Sequence, residues 1–107
     1  MPVLYRVVKN SPPQDWDFLS QRASNFPTPV NDDVAIALWV GVSTFDSEER
    51  ARNKAIAIPR LGGFIAELAI PDPPALPYAR TLMSTGHHTV WARPEYLHAC
   101  VRSVVTV

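Results

Sequence analysis

The stretch Phe64-Ile65-Ala66-Glu67-Leu68-Ala69-Ile70-Pro71 decides the fold class. It is an apolar run around one charge, opened by the turn signal Gly62-Gly63 and closed by a proline that cannot donate to a ladder. It reads as a strand. Working outward, residues 3–8 (VLYRVV) and 101–107 (VRSVVTV) are the two other segments richest in β-branched residues. These three are expected to share one sheet. The segments between them alternate in type. Ser11-Pro12-Pro13-Gln14 looks like a helix start, with Trp16, Phe18, Leu19 and Ala23 near one face and an end before Pro27. Asn31 or Asp32 suits the cap of a short helix, and 38–45 (LWVGVSTF) reads as a strand. Asp46-Ser47-Glu48-Glu49 is a capping signal with Asp46 as the cap, ahead of a helix that uses Ala51, Ala55 and Ile56 and ends before Pro59. Residues 78–83 and 88–92 are strand candidates, and Pro94 opens a short helix over 94–99. Helices and strands mix without a regular βαβ period. The predicted class is therefore α+β: one domain over residues 1–107, with a bent or split mixed sheet and short helices packed on it.

Composition narrows the functional classes. The 107 residues are 47% hydrophobic and 19% charged, enough to bury a core, so wholesale disorder is excluded. Ten basic residues balance ten acidic ones. No global positive field exists to hold nucleic acid or an anionic membrane, so nucleic acid is an unlikely partner. One cysteine leaves no intramolecular disulfide framework. The start MPVLYRVVKN lacks a basic segment ahead of a long apolar one, which reads as no signal peptide. The longest mostly apolar run, 34–42, is far short of the roughly 20 residues that span a bilayer. A cytoplasmic domain is expected. Eight of the eleven prolines fall in three groups, Pro12-Pro13, Pro27/Pro29 and Pro71, Pro73, Pro74 and Pro77, that punctuate one domain rather than forming a linker.

Strand alternation singles out two charges. Leu4, Arg6 and Val8 share a face of the first strand, and Ile65, Glu67 and Ala69 share a face of the central one. A charge between apolar neighbours is solvated, paired, or placed at a cleft, because burying it alone is very costly. Three readings stay open: two solvated residues, an Arg6–Glu67 ion pair, or a ligand cleft using one or both. His87, His88, His98 and Cys100 lack the spacing of a zinc site, so no metal is expected. His88 suits a polar cleft position. Cys100 is read as structural rather than nucleophilic. Trp16, Trp39 and Trp91 are read as core anchors. No phosphate-loop, dinucleotide-binding or hydrolase motif is present.

The order of these pieces resembles the compact ADP-ribosyltransferase-like domains, including the toxin-type and RES-type members. The carriers are Tyr5-Arg6 on the first strand, Ser43-Thr44-Phe45 running into a helix, FIAELAIP, and the closing HHTVW segment. The resemblance implies NAD or a related nucleotide as cofactor, and NAD-dependent ADP-ribosyl transfer or NAD hydrolysis in a toxin–antitoxin setting. It implies that Arg6, beside Tyr5, grips phosphate or ribose, that Ser43 and Thr44 line the pocket, and that His88 joins them. The family's late-strand glutamate is missing, since Trp91 stands there; Glu67 is the best spare carboxylate. That departure opens two alternatives: a degenerate member that binds without turnover, or a non-enzymatic protein-interaction module or small homodimer.

Overall fold

The computed structural model describes residues 3–24, 29, 36, 39–71, 78–82 and 87–107. Among these residues six strands form one sheet in the order β4-β5-β2-β1-β3-β6, where β1 is Val3–Val8, β2 Val42–Phe45, β3 Phe64–Ala69, β4 Tyr78–Leu82, β5 His87–Val90 and β6 Val101–Thr106. Among the described residues the complete helices are α1 (Glu48–Ala57) and α2 (Pro94–Ala99), with two 3₁₀ turns at Asp15–Phe18 and Pro59–Leu61; residues 36 and 39 are also helical. The class is α+β, as the mixed order of elements predicts. Every pairing among the described strands is antiparallel, so the sheet is not mixed. The three β-rich segments lie side by side as β1, β3 and β6.

Both faces of the sheet are covered. One carries Val7, Phe45 and Ile65 against Ala51 and Ala55 of α1, whose small side chains allow a close approach. The other packs Leu4, Val8, Ala66, Leu68, Val42 and Val90 against Phe18 and Leu97. Helix α2 opens on Pro94 and buries Leu97.

Register is uneven across the sheet. β1 and β3 pair over their whole length, from Val3↔Ala69 to Val8↔Phe64. β1 and β2 pair only at Tyr5↔Phe45. Beyond that point the two strands part, and the sheet is split into a β4-β5-β2 half and a β1-β3-β6 half.

Several local expectations shift. The chain after Ser11 forms a 3₁₀ turn at Asp15–Phe18 instead of a helix reaching Ala23, and Leu19 is already extended (φ −77°, ψ 141°). The turn starts at Gln14 rather than at Ser11: the Asp17 carboxylate closes a capping box on the Gln14 amide at 2.8 Å and also accepts from the Lys9 amide at 3.0 Å. It stops where Phe18 enters the core and Leu19 turns extended. Helix α1 is capped by Ser47, whose Oγ accepts from the Arg50 amide at 3.2 Å, and not by Asp46. Asp46 pairs with the Arg50 side chain at 3.6 Å. Residue 39 is helical and β2 begins at Val42 rather than at 38. Trp16 is 63% exposed and is no core anchor. The cap expected at Asn31 or Asp32 lies outside the described residues.

Candidate functional site

The split between β1 and β2 opens into a cleft of about 550 Å³. Its lining includes Arg6, Val7 and Val8 of β1 with Lys9 just beyond it, Ser43 of β2 and Gly41 just before that strand. The rest of the lining comes from Trp16 and Asp17 of the first 3₁₀ turn, Leu19, Ser20, Gln21 and Ser24 just after it, and Arg60 and Leu61 of the second. The volume matches a small-molecule site of nucleotide size.

Two glycines shape this cavity. Gly62 has φ +147°, and a Cβ there would collide with the Val8 carbonyl. The second 3₁₀ turn can therefore fold directly onto the end of β1, which carries Arg60 to the Lys9 end of the cleft. Gly41 is buried, and a Cβ would run into Thr89 and come within 3.1 Å of Trp91 Nε1.

Arg6 spans the split. Its Nε donates to the Asp17 carbonyl at 2.7 Å and its Nη1 to the Ser43 carbonyl at 2.7 Å. One side chain thus joins β1, β2 and the 3₁₀ turn where strand pairing has stopped. Desolvation pulls the guanidinium down to about 10, with the Asp17 charge acting the other way, so it stays protonated at neutral pH. Two of its five N–H groups serve these carbonyls; the group also lines the cleft.

Asp17 is the one carboxylate among the described lining residues. Its oxygens accept from the Lys9 and Gln14 amides and from Asn10 Nδ2, the latter at 3.2 and 3.1 Å. Such a carboxylate is committed to holding the turn. Against it the cleft sets Arg6, Lys9 and Arg60, so the lining is net positive on a chain of zero net charge.

The residues singled out in the sequence are divided between the faces. Tyr5 and Glu67 are register partners on the α1 face, and Ser43 alternates to the same side as Phe45. The Tyr5 hydroxyl donates to Glu67 Oε1 at 3.2 Å, and Arg102 Nε lies 3.7 Å from Glu67 Oε2. Burial, then the Glu67 hydrogen bond and charge, push the Tyr5 phenol up. Arg6, Thr44 and His88 belong to the opposite face. Thr44 is fully buried and donates to the carbonyl of its register partner His88 at 2.9 Å. An Arg6–Glu67 ion pair is therefore excluded, and Arg6, Ser43 and Glu67 do not converge. Ser43 meets Arg6 through its backbone carbonyl.

Lys9, Trp16, Asp17 and Arg60 escaped the sequence reading. Asp17, three residues after Gln14, is a recognisable capping partner. Lys9 and Arg60 are single bases beside turns and carry no local signal. Compared with family models, with curated proteins and with solved structures, the chain has no match. Among the described residues, no helix is long and apolar enough to cross a membrane.

Proposed function

We propose that this domain binds a phosphate-bearing nucleotide in the split-sheet cleft, NAD or a relative of it being the ligand that the ADP-ribosyltransferase-like resemblance implies. The observation that carries the reading is the cleft's charge: Arg6, Lys9 and Arg60 line it, and its one carboxylate already accepts four hydrogen bonds. Cations in a concave site concentrate an anionic ligand well beyond what net charge predicts.

The same observation argues for binding without turnover, the degenerate member of the readings above. Cleaving a glycosidic bond places positive charge on the sugar carbon, and a free carboxylate stabilises it. Asp17 is occupied, and Glu67 is on the far face with Tyr5 and Arg102. A second reading, an interaction module or homodimer, rests on the edge strand β6, where Val105, and Val107 just after the strand, are each 36% exposed. A concentration series by sedimentation tests that reading separately.

Calorimetric and thermal-shift titration with NAD, ADP-ribose and AMP tests the proposal. A ligand that binds only the folded state raises its apparent stability. Binding by the wild type, weakened in Lys9→Ala and Arg60→Ala, with no nicotinamide released over a long incubation, is the expected result. Absence of any shift or heat would refute it. Arg6→Ala is a poor probe here, because it also removes the brace.

A further inference from the structure

We infer that Trp16 is a stacking platform for the ring of the bound nucleotide, so that the cleft distinguishes a nucleoside phosphate from a plain phosphate or pyrophosphate. This rests on the binding reading above. Trp16 is 63% exposed, the costliest kind of residue to leave in water, and it lines the cleft. Among the described residues it makes no hydrogen bond, ring contact or ion pair.

Its backbone is nevertheless fixed on both sides. Asp15 Oδ1 lies 2.6 Å from His98 Nδ1. Asp17 is held by its amide and Asn10 contacts, and its carbonyl by Arg6. Phe18 is completely buried and stacks on the His98 ring, centroids 5.8 Å apart at 21°. The four-residue turn thus spends its anchoring on residues 15, 17 and 18 and leaves the indole facing outward. With its backbone fixed, only the two side-chain torsions of the indole remain to be ordered when a flat ring settles on it. The neighbouring cations of the cleft, Lys9 and Arg60, supply what the phosphate end of such a ligand requires. A ring face next to a group of cations is the pairing that recognises a base joined to phosphate. A purely apolar partner would leave those cations without a counter-charge.

The experiment compares ADP-ribose with inorganic pyrophosphate on wild type, Trp16→Leu and Trp16→Phe. Because the indole is mostly exposed and makes no hydrogen bond or ring contact among the described residues, Trp16→Leu should fold with a nearly unchanged unliganded melting midpoint. The expected result is a loss of about tenfold or more in ADP-ribose affinity for Trp16→Leu, the size of one base-stacking contact. Trp16→Phe, which keeps a ring, should recover most of it, and pyrophosphate should bind all three proteins alike. Quenching of indole fluorescence by ADP-ribose should vanish in Trp16→Phe. If Trp16→Leu binds ADP-ribose as wild type does, or loses both probes equally, the platform is overturned while the cleft remains an anion site. If neither probe binds wild type, the binding reading falls and takes this inference with it.

Discussion

Arg6 and Glu67 sit one register step apart on adjacent strands, each a charge between apolar neighbours, yet their surroundings differ in kind. Arg6 is fixed by two short bonds to backbone carbonyls at the place where β1 and β2 separate. Glu67 lies on fully paired β3, held by one long phenol contact and a 3.7 Å approach of Arg102, whose side chain is 57% exposed. The first charge replaces missing strand pairing and lines a cleft. The second decorates a sheet that is complete without it. A charge becomes structural where the ladder fails, because there backbone carbonyls lack the donor a paired strand would supply.

The strongest test of this contrast removes each charge in turn. Arg6→Ala leaves the Asp17 and Ser43 carbonyls without their donor and should cost about 2–4 kcal/mol in denaturant unfolding, two bonds to a charged group. Arg6→Lys should restore less than half, since one ammonium cannot reproduce a planar fork spanning two carbonyls. A loss below about 0.5 kcal/mol, the range of ordinary surface substitutions, would break the comparison.

Asp17→Ala ranks next. It frees the Lys9 and Gln14 amides and should cost about 1–3 kcal/mol, the penalty for leaving partly buried donors unpaired. Proteolysis should then cut near the first 3₁₀ turn sooner than in wild type. Unchanged stability and cleavage would mean that the turn is held by Phe18 alone.

On the α1 face, Ser47→Ala should cost about 1 kcal/mol, the usual value of an N-cap, and Asp46→Ala less than about 0.5 kcal/mol. Equal losses in thermal unfolding would return the cap to Asp46.

Glu67→Gln should change stability least, by under about 1 kcal/mol, because its partners are partly solvated. Its signature lies in alkaline pH. The Tyr5 phenol is raised above its ordinary 10.0 by burial and by Glu67. The native state therefore keeps this proton to higher pH than the unfolded chain. That contribution is complete below pH 10 and drains away as pH rises through the folded value. Tyr5→Phe should flatten part of the alkaline stability loss, and Glu67→Gln should shift its onset downward. An alkaline limb identical in all three proteins would remove Tyr5 from the account.

What the sequence discloses, and what it hides, follows from the same pair. β1, β3, β6 and α2 are legible because β-branched runs and a first-position proline act locally. Alternation correctly groups Arg6 with Leu4 and Val8. It cannot say whether that face of β1 is also the Glu67 face of β3, since this depends on cross-strand register, here Tyr5↔Glu67. Hydrophobic patterning does not decide it either, because both sheet faces are covered. The cleft was illegible for a related reason. Lys9, Trp16 and Arg60 meet only because Asp17 curls one turn back and Gly62 lets another fold onto Val8. Neither contact leaves a periodic trace.

The most direct measurement is an amide chemical-shift titration of the ¹⁵N-labelled protein with ADP-ribose. Saturable shifts are expected at Arg6 to Lys9, Trp16, Asp17, Gly41, Ser43, Arg60 and Leu61, the residues around the split. Tyr5, Glu67 and Ser103, which share the far face, should stay in place. Shifts centred on Tyr5 and Glu67, or none at any ligand concentration, would contradict the account.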